Sequence, residues 1–150
     1  MPNPGHILIA DDDEDFVLLL RTAFECVGIS SELKVVGDGA GAISYLKGED
    51  QYSNRNCFPL PELLLLDLRL PRVSGANVLS WVRRRPEFDK LSVVILTGAE
   101  LEGEGERLVQ MGANEHLVKP MDFTRLVEMV EHLVNSWVRR RDLLPARLKP

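Results

Sequence analysis

Four groups of side chains in this sequence could act on a phosphoryl group if the fold brought them together. They are the acid run Asp11-Asp12-Asp13-Glu14-Asp15, the lone Asp67 closing Leu63 to Leu66, Thr97 closing Val93 to Leu96, and Lys119 ahead of Pro120. Neighbouring carboxylates repel, which raises the pKa of some of them, and a hard divalent cation removes that cost. Oxygen-only ligands select Mg²⁺ or Mn²⁺. A lysine beside a carboxylate outside the metal set completes a clamp for a phosphoryl group, and Thr97 can donate a hydrogen bond to a phosphoryl oxygen. A carboxylate can itself be the nucleophile and form an acyl phosphate. Asp67, on the central strand, is the geometric candidate. Taken singly, each residue has an ordinary explanation: a turn or cap for the Asp, a strand former for the Thr, punctuation for Lys-Pro. Their joint force rests on the elements that carry them.

Those elements follow from the period of the apolar residues. His6 to Ala10 is a short apolar run that predicts a buried strand. Phe16, Leu19, Leu20, Ala23, Phe24 and Val27 keep a helical spacing that stops at Gly28. Leu33 to Val36 predicts a second strand, and Ala42, Ile43 and Leu46 the inner stripe of a short helix. Gly48 to Pro61 is a polar connection. Leu63 to Leu66 predicts a third strand, and Val78, Leu79 and Val82 a helix from Gly75 that closes before Pro86. Leu91 to Leu96 gives a fourth strand, Leu108, Val109 and Met111 a weak helix, and His116 to Val118 a fifth strand. Asp122 is placed to cap a last helix running from Phe123 to Arg141.

Strand and helix alternate five times, and continuously apolar strands predict a parallel sheet covered on both faces. With right-handed crossovers the fold class is α/β, a flavodoxin-like doubly wound five-stranded sheet. In such sheets the working site lies beyond the carboxyl ends of the strands. Asp11, Asp12, Asp67, Thr97 and Lys119 all fall there, so chance placement is the weaker explanation.

The 150 residues carry 18 Lys and Arg against 23 Asp and Glu, the balance of a soluble one-domain chain rather than a disordered or collagenous one. No apolar run approaches the ~20 residues of a membrane helix, and the start has no export pattern. Cys26 and Cys57 form neither a disulfide framework nor a zinc pattern, so a reducing cytoplasm is expected. Residues 139 to 150 hold five cations against Asp142 alone. That tail has no helix-turn-helix pattern, so sequence-specific nucleic-acid binding is not expected.

Four segments carry a resemblance: Ile7-Leu8-Ile9-Ala10-Asp11-Asp12-Asp13; Leu64-Leu65-Leu66-Asp67-Leu68-Arg69-Leu70-Pro71 with Ser74-Gly75; Val94-Ile95-Leu96-Thr97-Gly98-Ala99; and His116-Leu117-Val118-Lys119-Pro120. In this order they resemble the receiver domain of two-component response regulators, from residue 6 to about residue 138. The resemblance implies that Asp67 accepts a phosphoryl group from a sensor histidine kinase. It further implies that Asp12 and Asp67 bind Mg²⁺ directly, Asp11 through a water, and the backbone carbonyl of Arg69 as another ligand. Lys119 would pair with the phosphoryl group, Thr97 would swing toward it, and Lys119-Pro120 would be cis. Residues 1–141 would then be the receiver and 142–150 a basic tail without an output domain. The protein would be a signalling protein, not an enzyme in the usual sense.

Several features depart from the common pattern. His116 stands where many receivers have a rotating Tyr or Phe, and either an inward-turning switch or an edge histidine fits it equally. Arg69 is placed to alter the lifetime of the acyl phosphate. Gly103 and Gly105 among the glutamates of 100 to 106 predict a poorly formed start to the fourth helix. The long Gly48 to Pro61 connection and long last helix resemble single-domain regulators that serve bacterial phytochromes. Trp137 and Val138, overhanging the sheet beside Arg139 to Arg141, would offer a homodimer contact or cap the domain's own core, and a downstream phosphotransfer protein is a further expected partner. A magnesium aspartyl phosphatase would need an acid where Arg69 stands. A flavodoxin-like cofactor binder would need a polar neutral loop where the five acids stand. A receiver-shaped interaction module without phosphorylation is the remaining alternative.

Overall fold

The computed structural model describes residues 5–29, 33–99 and 103–138. Strands β1 (Ile7–Ala10), β2 (Leu33–Val36), β3 (Leu63–Asp67), β4 (Ser92–Thr97) and β5 (Glu115–Val118) form one sheet in the order β2-β1-β3-β4-β5, with every neighbouring pair parallel. Helices α1 (Glu14–Cys26), α2 (Gly39–Lys47), α3 (Gly75–Arg83), α4 (Glu104–Gln110) and α5 (Phe123–Trp137) follow the strands in turn. This is the flavodoxin-like doubly wound sheet that the alternation of elements predicts.

The apolar side chains of β1, β3 and β4 each fall on one of two cores. Ile7, Ile9, Leu63, Leu65, Val94 and Leu96 pack beneath α1 and α5, whereas Leu8, Ala10, Leu64, Leu66, Val93 and Ile95 pack beneath α2, α3 and α4. Continuous apolar strands are therefore explained by burial on both sides. Helices α1, α2, α3 and α5 start on side-chain caps: Asp13, Asp38, Ser74 and Asp122 accept from the backbone N–H groups of Phe16, Gly41, Asn77 and Arg125. Each cap satisfies a donor that the first turn leaves without an intrahelical partner.

Four expectations need correction. In α1 the buried face takes Val17, while Leu19 is 49% exposed. The last helix closes earlier than expected: α5 ends at Trp137, and Val138 is extended, at φ −120° and ψ 132°. Trp137 and Val138 do not overhang. Val138 is buried in the α1–α5 core, and Trp137 packs against it while its indole N–H donates to Glu115 Oε1 at 2.9 Å. Closing the domain's own core removes the argument for a dimer built on that overhang; residues 139–150, with the basic tail, lie outside the described residues. The Lys119–Pro120 peptide is trans, as are all described peptides. The intrinsic preference between the two X–Pro forms is under about 1 kcal/mol, and the trans form already brings the Lys119 ammonium to both buried acids.

The Gly48–Pro61 connection is a built element rather than a plain polar loop. Arg55 donates to the carbonyls of Tyr45, Leu46 and Phe58, two of which belong to the last turn of α2, and the rings of Tyr45, Tyr52 and Phe58 pack together. The Tyr45 hydroxyl donates to the Pro59 carbonyl, and burial pushes its pKa up to about 12.

Arg83 plays a similar part at the end of α3. It donates to the carbonyls of Gly112, Phe88 and Leu91 and to Asn114 Oδ1, which also accepts from the Val93 N–H. One guanidinium thus ties α3 to the start of β4 and to the turn before β5. Burial pulls its pKa down from the usual value, against the attraction of Asp89. Arg83→Met strips donors from four acceptors and is expected to cost about 2–4 kcal/mol, whereas the exposed Arg84→Met stays within about 0.5 kcal/mol. Urea titrations of the two variants against the parent check the contrast.

Candidate functional site

The carboxyl ends of β1, β3 and β4 and the turn after β5 gather the residues singled out in the sequence. Asp11 follows β1, with its N–H donating to the Val36 carbonyl; Asp67 closes β3; Thr97 closes β4; and the Lys119 N–H donates to the Thr97 carbonyl. Asp11, Asp67 and Thr97 are the buried polar residues among those described, at 5%, 8% and 1% exposure. Buried polar groups in such a core need a reason, and here each is held by specific partners.

Lys119 Nζ stands 2.8 Å from Asp11 Oδ2 and 3.3 Å from Asp67 Oδ2, and also lies 4.4 Å from the centre of the Phe16 ring. Asp11 Oδ1 accepts from the Asp13 N–H, and Asp67 Oδ1 from the Arg69 N–H at 3.1 Å. The backbone after Asp67 is held tightly as well. The Gly75 N–H donates to the Leu68 carbonyl, and a Cβ at Gly75 would collide with the Asp67 carbonyl. Helix α3 therefore starts against the main chain of Asp67, which accounts for the Ser74-Gly75 pair in the sequence.

The electrostatics follow from crowding. Burial, with Asp11 adding to it, raises the Asp67 pKa above the ordinary carboxylate value, against the pull of the Arg69 N–H and Lys119. Burial would lower the Lys119 pKa, but its hydrogen bonds and attraction to Asp11 and Asp67 win and hold it above the usual lysine value. Two acids thus share one ammonium, and the smaller spare capacity lies on the side of positive charge.

Exposed Asp12 adds a third carboxylate, and oxygens of Asp11, Asp12 and Asp67 lie within 4.8 Å of one another. Three hard oxygen donors, one of them on an acid whose pKa burial raises, fit a Mg²⁺ or Mn²⁺ ion. Arg69 leaves its side chain exposed and contributes through its backbone.

Thr97 is brought to the site, with its hydroxyl donating to the Ala99 carbonyl at 2.8 Å. His116 is half-buried on β5. The register pairs it with Ile95 and pairs Val118 with Thr97, so His116 and Thr97 share one face of the sheet. Helix α4 starts on Gly103 at φ +77° without a side-chain cap, and Glu100 and Glu102 lie outside the described residues. Two supports escaped the sequence reading. Phe16, a core residue by its spacing, also turns its ring to the Lys119 ammonium. Arg72, at φ +70°, pairs with the α2 cap Asp38 at 3.0 Å and so joins the loop after Asp67 to the loop after β2.

A parallel sheet with acids, a hydroxyl and an ammonium at its carboxyl edge defines a receiver. The chain belongs to the response regulator receiver domain family, which it matches over residues 7–131. Among curated relatives, the probable methanogenesis regulatory protein FilR2 of Methanothrix harundinacea is 32% identical over 136 residues, covering 91% of this chain and 85% of that protein. Among solved structures, the Mn²⁺-bound form of response regulator Rcp1, a Synechocystis protein, superposes with a TM-score of 0.80 at 28% identity over 91% of this chain and 96% of that one. The phosphorylated cyanobacterial phytochrome response regulator RcpA gives 0.81 at 26% identity over 90% and 94%. The neighbours thus include phytochrome-associated regulators, the subgroup that the long connection suggests.

The raised Asp67 pKa fixes the sign of one linkage. Without metal, its contribution to stability is most favourable below the unfolded pKa and is lost as pH rises through the higher folded value. Asp67→Asn is therefore expected to raise the melting temperature in EDTA at neutral pH. For the parent, Mg²⁺ at about a hundred times its dissociation constant is expected to add about 2.7 kcal/mol. The variant should lose most of that gain, which calorimetry with and without Mg²⁺ reads directly.

Proposed function

We propose that this receiver takes a phosphoryl group onto Asp67 from the phosphohistidine of a sensor kinase and thereby alters a protein-binding surface. A carboxylate oxygen of Asp67 attacks phosphorus, the bond from phosphorus to the imidazole nitrogen breaks, and that nitrogen leaves with the electron pair. Asp11, Asp12, Asp67 and the Arg69 carbonyl would hold the divalent cation, which supplies charge neutralisation for the phosphoryl oxygens. Lys119 takes the opposite side. Its ammonium already bonds Asp67 and stabilises charge gained by the phosphoryl oxygens. The single observation that carries the reading is this clamp of one lysine on two buried acids beside a third carboxylate.

Thr97 then reports the event. A phosphoryl oxygen on Asp67 offers its hydroxyl a charged acceptor in place of the neutral Ala99 carbonyl, and charge-assisted bonds are about twice as strong. The turn would favour a second packing of β4, α4 and β5, with His116 on the same sheet face. A phytochrome-type kinase is the favoured donor, since RcpA carries that association in its name and the Gly48–Pro61 element suits the same subgroup.

Acetyl phosphate with Mg²⁺, read by intact mass, is expected to add one phosphoryl group to the parent and none to Asp67→Asn or to the parent in EDTA. No gain in the parent, even with a phosphorylated histidine kinase, would leave an interaction module of receiver shape. Thr97→Ala is expected to keep the mass gain and to lose any phosphorylation-linked change in amide exchange over β4, α4 and β5.

A further inference from the structure

The end of the sheet away from Asp67 carries a second concavity that phosphorylation does not use. Glu62 and Leu91 immediately precede β3 and β4, whereas Asp67 and Thr97 close those strands. Two adjoining cavities, of about 170 and 260 Å³, open there and share Leu46, Leu60, Glu87 and Phe88 as lining residues. Together they are the size of a small-molecule site, about 300–1,000 Å³. The Gly48–Pro61 element supplies one wall through Leu60 and Arg55, and α3 with the turn after it supplies the other through Trp81, Arg85 and Phe88.

The lining is apolar below and cationic at the rim. Leu46, Leu60, Phe88 and Leu91 form the floor, while Lys47, Arg55, Arg85 and Lys90 reach the edge against the two acids Glu62 and Glu87. A net positive mouth on a chain of net charge −5 is a local reversal. Arg55 gives its N–H groups to neutral carbonyls, and its hydrogen bonds among the described residues include no carboxylate. Arg85 lies 4.5 Å above the Trp81 ring, and its pair with Glu87 is long, 3.5 Å, as is the Lys47–Glu49 pair at 3.7 Å. Solvent-exposed pairs of this kind are worth about 0–1 kcal/mol, so a ligand anion can replace them.

We propose that this cleft binds a small amphiphilic organic anion, with an apolar body on the Leu46–Phe88 floor and one carboxylate among Lys47, Arg55 and Arg85. A wholly polar anion would waste the floor, and a neutral apolar molecule would leave the cations without a counter-charge. The cleft is walled by α3 and the Gly48–Pro61 element, which flank β3 in the chain.

The two tryptophans of the chain make the test local. Trp81 lines the cleft, while Trp137 is bonded to Glu115 at another part of the molecule. Titration of ¹⁵N-labelled protein with sodium octanoate is expected to shift the Trp81 indole resonance saturably and to leave that of Trp137 in place. Octanol, with the same chain and no charge, should bind at least about tenfold more weakly, as should octanoate to the doubly substituted Lys47→Gln, Arg85→Gln protein, a difference of about 1.4 kcal/mol. Both substituted side chains are partly exposed, Lys47 at 37% and Arg85 at 40%, and a retained Mg²⁺ stabilisation shows that the variant folds. Three results would overturn the proposal: no saturation by about 10 mM octanoate, weaker than a specific site requires; equal shifts at both tryptophans; or octanol binding as tightly as octanoate.

Discussion

Two buried carboxylates cannot stand side by side without a positive partner, and in this protein Lys119 is that partner. Its ammonium sits between Asp11 after β1 and Asp67 at the end of β3, although its own backbone belongs to the turn after β5. The bonds therefore span the sheet from one side of the central strand to the other. Strand order, register and the Lys119–Thr97 backbone bond all have to be right for the ammonium to arrive. The arrangement is also incomplete by charge, since the two acids and Asp12 outnumber the lysine. An acid held above its ordinary pKa is a group waiting for more positive charge, and this is the physical reason the site suits a cation and a phosphoryl group together.

Much of this was legible from residue order. Apolar runs ended by Asp, Thr and Lys mark both the strands and the edge at which chemistry collects, because burial on two faces leaves the inner strands β1 and β3 no polar position until they end. Site residues placed by strand ends were therefore the easiest to find. Asp122, ahead of a sustained helical period, is likewise legible as a cap, while Asp13, Asp38 and Ser74 cap their helices without so clear a pattern behind them. The receiver motifs added roles that periodicity alone does not carry, such as that of the Arg69 backbone.

What escaped the sequence are contacts made by long side chains to distant backbone. Nothing in the neighbourhood of Arg83 or Arg55 says that each will close a set of carbonyls, one at the end of α3 and one at the end of α2. A guanidinium can satisfy several acceptors only after the turns around it have formed, so the pattern exists in space and not along the chain. The end of α5 failed for a related reason. Trp137 and Val138 continue the helical period, but Glu115 and the α1–α5 core capture them, and tertiary bonds outweigh local propensity. The Lys119–Pro120 peptide shows the limit of motifs, because the resemblance implies a cis bond and the peptide keeps the trans form that X–Pro bonds intrinsically prefer.

The sheet also partitions the interior. Alternate residues of β1, β3 and β4 belong to separate cores, with no side chain serving both. Substitutions beneath α1 and α5 should combine additively with those beneath α2, α3 and α4, while pairs within one core should show epistasis. Lineages of such a domain can then accumulate changes on one face, where α4 and the Gly48–Pro61 element lie, without spending the tolerance of the other. The backbone between the faces is the common wall, and it is there, at the strand ends, that the two histories must agree.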